Sequence, residues 1–179
     1  MGSMTDGITM LSNLATHLHG AAIHFAFTLA TLVAVLGAAG FLARQSWLGR
    51  KAPGQAASGG SMVAWILLCA GLAGLEQLIS AAGRQMGWQV SFDAISYVSV
   101  STFGQGAVAA NALLTLLNMA GVYFCLQGVL LWRRSRKEGH TGLSAGNDVT
   151  TGNVKFIIGV MMCCSPSLLD ALQKTLGTR

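Results

Sequence analysis

Hydrophobic positions gather into four long stretches divided by polar and basic punctuation. Gly20 to Ala43 carries no formal charge, and at about 1.5 Å per residue it outruns a bilayer core of about 30 Å. Ala107 to Trp132 is comparably long and uncharged, interrupted by Asn111, Asn118 and Gln127. Both are expected to span a membrane. Met62 to Leu75 meets Glu76 and Gln77 before resuming through Leu78 and Ile79 to Gly83, and Phe156 to Leu169 meets Asp170. At about fourteen uncharged residues, neither is a full crossing alone. Each is expected to form the return arm of a hairpin, with its acidic residue near the far interface and paired with Arg84 or Lys174.

The predicted fold is all-α: an integral membrane protein with four hydrophobic helices in two tandem hairpins, preceded by an N-terminal amphipathic helix. Residues 1–19 form that first helix, capped at Thr5-Asp6, with Ile8, Leu11, Leu14 and Leu18 on its apolar side and lying at the interface. Residues 20–83 form the first hairpin, 84–106 a connector and 107–179 the second hairpin. Within the connector, Phe92, Ile95, Val98 and Phe103 recur at roughly helical spacing and predict a second surface-lying helix. A shift of 90 positions sets Leu78-Ile79, Ala81, Arg84, Met86 and Gly87 against Leu168-Leu169, Ala171, Lys174, Leu176 and Gly177. The two hairpins then read as copies pointing the same way, as in parallel repeats.

Composition narrows the function class. Of 179 residues 53% are hydrophobic and 9% charged, and the mean hydropathy is +0.57. A soluble domain carries about 25% charged residues, so a water-soluble enzyme is not expected. The net charge of +5 comes mainly from Arg44, Arg50 and Lys51 in one loop and Arg133, Arg134, Arg136, Lys137 and Lys155 in another. The positive-inside rule makes both loops cytoplasmic and both termini periplasmic in a multi-pass inner-membrane protein. Basic clusters beside apolar helices meet anionic lipid head groups more naturally than a phosphate backbone. Membrane lipid is therefore the expected partner, and no sequence-specific nucleic-acid binding is expected. No cofactor is implied, phospholipid being the one candidate ligand.

Small residues supply the candidate contact surface. Ala22, Ala26, Ala30, Ala34 and Ala38 recur every four positions, followed by Gly37 and Gly40, with Gly71 and Gly74 on the second stretch and Ala120, Gly121 and Gly128 on the third. In lipid, helices associate through such faces because their backbones approach closely. The stripe predicts either self-association of copies or packing of the chain on itself. Asn111 and Asn118, seven apart on one helix face, predict polar contacts within the fold. His17, His19 and His24 cluster at one helix start and His140 stands apart, an arrangement unsuited to a bis-histidine haem. Cys69, Cys125, Cys163 and Cys164 lie in apolar stretches without zinc spacing and are expected to act as small hydrophobes. No phosphate loop, HExxH or GxSxG pattern occurs, so no catalytic residue is assigned.

Asp6-Gly7-Ile8-Thr9, Leu11-Ser12-Asn13-Leu14, Gly40-Phe41-Leu42, Ser80-Ala81-Ala82-Gly83, Ser165-Pro166-Ser167-Leu168-Leu169 and Leu176-Gly177 together resemble the IcmC/DotE inner-membrane proteins of type IVB secretion and conjugation systems, with their conjugative-plasmid relatives of the Tra series. The first return arm departs from that pattern, reading Gly74-Leu75-Glu76-Gln77 without proline. The resemblance implies an integral-membrane part of a transfer apparatus without catalytic residues. Together with the alanine stripe and the paired basic loops it leads to the expectation of a non-catalytic, self-associating structural subunit of a type IV (IVB) apparatus, in contact with other apparatus components. Two helices around a basic loop are also the plan of conjugative pilins, which makes a channel or a pilus-like polymer, extracellular once assembled, a variant of the same reading. The alternatives are a small redox subunit carrying haem through His24, and a proton or ion transporter using Glu76 and Asp170.

Overall fold

A computed structural model describes residues 2–51, 59–99, 101, 104–136 and 142–177, and among these it is helical, without strands. Six helices follow in order: α1 Gly2–Lys51, α2 Gly59–Ala73, α3 Leu75–Gln85, α4 Gln105–Ser135, α5 Gly142–Cys163 and α6 Ser165–Thr175. Two stretches, Ser12–Lys51 and Gly106–Ser135, are long and apolar enough to cross a membrane, or up to four if each bent pair, α2 with α3 and α5 with α6, counts as one span.

Helix α1 is a single run of 50 residues, about 75 Å at the standard rise. The division expected near residue 19 is not marked by a break, and Thr5 and Asp6 lie inside the helix instead of capping it. The physical reason is that nothing between Gly2 and Lys51 removes a backbone donor: the chain's two prolines are Pro53, beyond the helix end, and Pro166.

The return arms, by contrast, are broken. Helices α2 and α3 meet at 89° and α5 and α6 at 72°. The joints are Gly74 (φ −101, ψ 36) and Cys164 (φ −91, ψ 13), 90 positions apart like the sequence repeat. Pro166 opens the first turn of α6, where its missing N–H costs nothing. The ends match as well: Gly87 (φ 79) and Gly177 (φ 69) take the left-handed conformation after α3 and α6. At Gly87 the Trp88 N–H reaches Gly83 O (2.9 Å) and the Gly87 N–H reaches Arg84 O (3.0 Å), which closes the helix.

Side-chain contacts give the helix directions. His19 meets Asn118 near one end of the α1–α4 pair and Val33 meets Arg133 near the other, so these helices run parallel in near-constant register. Gly121 faces Gly159 and Gly128 faces Gly152, so α5 returns antiparallel along α4. Helix α2 returns along α1, with Trp65 stacked on Phe41 (5.3 Å) and donating to Gly37 O (3.4 Å). Ala30, Ala34, Leu72, Leu75, Ile79, Val122, Cys125, Val129, Val160 and Cys163 fill the shared core.

Residues 88–99 carry no helix. The spacing of Phe92, Ile95 and Val98 does not become one because α4 offers this backbone other partners, described below. Phe103 lies outside the described residues.

Candidate functional site

The small-residue stripe is turned largely inward. Ala30 and Ala34 are 0% and 2% exposed, Gly37 is buried, Ala22, Ala26 and Ala38 are half-buried, and Gly40 is exposed. Gly71 and Gly74 are half-buried on the first return arm. The closest helix approach lies elsewhere, along α4 and α5. A Cβ on Gly121 would lie 2.7 Å from Gly159 O and one on Gly159 2.6 Å from Gly121 O, while Gly128 and Gly152 stand in the same reciprocal relation at 2.8 and 2.9 Å. Gly152 and Gly159 were not among the residues singled out in the sequence. Their spacing of seven, matching Gly121 and Gly128, is the signal that finds them.

At the basic end the charges differ in kind. Lys51 lies over the Trp47 ring (5.2 Å), Arg44, Arg50 and Arg136 are exposed, and Arg134 faces Asp148 across α4 and α5 (3.6 Å). Lys155 donates to Gln127 Oε1 at 2.8 Å. Arg133 turns into the bundle: Nη1 donates to Val33 O (3.3 Å), the guanidinium covers Trp65 (5.5 Å), and it fills the space that a side chain on Gly37 would need. Gly37 is thus small because an arginine sits against it. Lys137 and His140 lie outside the described residues.

At the opposite end α4 presents a polar ladder. Asn111 Oδ1 accepts from the Tyr97 and Val98 N–H groups (3.0 and 2.8 Å) and its Nδ2 donates to Val98 O (2.9 Å). Thr115 Oγ1 accepts from Ile95 N–H (3.1 Å). Asn118, wholly buried, donates through Nδ2 to Ser91 O (2.9 Å) and Cys163 O (3.3 Å), while its Oδ1 faces His19 Nε2 at 3.3 Å. Three side chains on one face therefore satisfy an otherwise unpaired strip of backbone, which follows the helix without itself being helical.

The acidic residues found other partners than those expected. Asp170 accepts from the Tyr97 hydroxyl (2.8 Å) rather than from Lys174, tying α6 to the connector. Partial burial, then the bond to Asp170 and its negative charge, holds the Tyr97 phenol above its ordinary range. Arg84 donates to Ser80 O (3.3 Å) rather than to Glu76. Glu76 lines a cavity of about 330 Å³ between α1, α3 and the connector, together with Thr16, His19, His24, Phe92 and Asp93. Among the described residues no three His, Cys, Asp or Glu side chains are placed to hold a metal ion. The four cysteines are buried and free.

The fold defines a class: an all-helical protein with two to four helices long and apolar enough to span a membrane. Comparison with protein-family models, with curated proteins and with solved structures gives no match.

Proposed function

We propose that the chain is a non-catalytic membrane subunit of a bacterial type IV (IVB) secretion or conjugative transfer apparatus, which associates with its own copies and with other apparatus components. The observation that carries the membrane part of this reading is an inside-out distribution of side chains. Phe25, Leu32, Val35 and Leu36 on α1, Leu67 on α2 and Leu113 on α4 are each more than half exposed, whereas Asn118, Thr115 and His19 are buried. Water disfavours such a surface and lipid accepts it. The transfer apparatus is supported by the sequence resemblance.

In this reading both basic ends, Arg44 to Lys51 and Arg133 to Arg136, face the cytoplasm and anionic lipid heads. The parallel run of α1 with α4 supports it, because it brings both basic ends to one side. Helix α1, far longer than a bilayer is thick, then stands clear of the membrane on at least one face. With Ala30, Ala34 and Gly37 packed inside the chain, contact between copies falls to exposed positions such as Gly40 and the half-buried Ala22 and Ala26.

Deleting the chain from a host that carries such an apparatus should abolish transfer, and re-expression should restore it. Detergent-extracted protein should appear as a ring or filament by negative-stain imaging. Undiminished transfer in the deletion strain overturns the proposal.

A further inference from the structure

Lys155 differs from the other basic residues. Its place in the sequence groups it with a cytoplasmic loop, but the structure holds it inside α5, where its ammonium donates to Gln127 Oε1 of α4 at 2.8 Å. At 3.6 residues per turn, Gln127 lies about 140–160° around α4 from Val122 and Val129, which pack into the core. The half-buried Lys155–Gln127 pair therefore sits on the outer side of α4. Its neighbours one turn away, Tyr123 on α4 and Ile158 on α5, are 57% and 43% exposed.

Glu76 is its counterpart on the opposite side. Helix α3 joins the core through Leu75 and Ile79, on the side of α4 that carries Val122 and Val129, and Glu76 is exposed there. Among the described residues no salt bridge reaches Glu76 or Lys155. The two groups also agree in depth. Contacts of α1 with α4 link residues 99 and 100 apart, His19 with Asn118 and Val33 with Arg133, which sets Gln127 level with Phe27 and Thr28. Glu76 lines a cavity with Gly20, Ile23, His24 and Phe27 of the same helix. Along the helix axis the two charges are thus within about 10 Å, two turns at most, and both lie at the depth of the apolar stretch of α1.

We propose that copies of the chain associate side by side in the membrane through a salt bridge from Glu76 of one copy to Lys155 of the next. The inference rests on the membrane and self-association reading above, and names the contact that reading leaves open. At this depth lipid offers a charge neither water nor a counter-ion, so each group is stabilised most by the opposite charge at its own level. The bilayer gives every copy the same height and orientation, which lets the two faces meet by sliding in the plane. Gln127 occupies one proton of the ammonium and leaves two for the carboxylate. Because the two faces differ, the contact is heterologous and closes into a ring instead of a two-fold dimer.

The test co-expresses the full chain under two different tags, extracts it in mild detergent, captures one tag and measures the other. Wild-type chains should co-purify. Glu76→Lys and Lys155→Glu should each lower recovery of like chains by about tenfold or more, as when one partner of a desolvated pair is lost. Expressing the two variants together should restore recovery, since each supplies the charge that the other lacks on both faces; a salt bridge closed within one chain gives no such rescue. A second measurement does not depend on reversed charges. Glu76→Cys in one tagged chain and Lys155→Cys in the other should be joined by a short bis-maleimide, and chains sharing one substitution should not, the native cysteines being buried. Wild-type chains that fail to co-purify overturn self-association and this contact together. Recovery unchanged in both reversed variants, loss with neither rescue nor the mixed cross-link, or cross-linking of like chains overturns this contact alone.

Discussion

Asn118 uses its whole amide, one oxygen and two protons, to join α1, the connector and α5. Interhelical hydrogen bonds within membranes average about 0.6 kcal/mol each, so Asn118→Ala should cost about 2 kcal/mol, read as a lower thermal unfolding midpoint in detergent. Gly159 is constrained by sterics instead. A methyl group there meets Gly121 O and the Cys125 thiol, both at 2.6 Å, and neither is a flexible side-chain end. Gly159→Ala should cost about 1–3 kcal/mol of overpacking and loosen α4 from α5, again measured by thermal unfolding. The polarity of Asn118 and the alanine period of α1 were visible in the sequence. That Ala30 and Ala34 face the chain's own core was not, because a stripe of small residues has the same spacing whichever helix it meets.

At the scale of elements, the two broken arms are the feature that the linear pattern conceals. Fourteen apolar residues followed by an acid read as a short span, and the bend depends on the joint's ψ angle, which composition does not report. The repeat of 90 does carry it, since Gly74 and Cys164 occupy equivalent positions, as do Gly87 and Gly177. Helix α6 is held to the connector by the Tyr97 hydroxyl on Asp170. Because the folded phenol deprotonates above the unfolded value of about 10, this link is fully present at neutral pH and is lost only as pH rises through the raised value. In a Tyr123→Phe background, which leaves Tyr97 as the single tyrosine, ultraviolet titration should show phenolate forming later than in the free amino acid. Asp170→Asn should bring it back toward normal.

For the whole molecule, the parallel pairing of α1 and α4 puts both basic ends on one side, and with the proposed cytoplasmic placement of those ends it makes a topological prediction. Cysteines introduced at Ser58 and at Ser144 should both be shielded from an impermeant thiol reagent in intact cells, and one at Thr178 should react. The four native cysteines are buried and contribute little background. Labelling of either loop position in intact cells would refute the orientation. The sequence by itself determined the helical class, the apolar stretches and the two basic ends, because hydropathy and charge are written residue by residue and act over one turn or one loop. Only the tertiary structure decided which face of α1 is covered, that residues 91–98 pair with α4 instead of forming a helix of their own, and that Glu76, Asp93 and His19 line one cavity. Those outcomes depend on partners distant in the chain, where backbone groups and carboxylates find the donors, acceptors and space that their own neighbours in sequence do not offer.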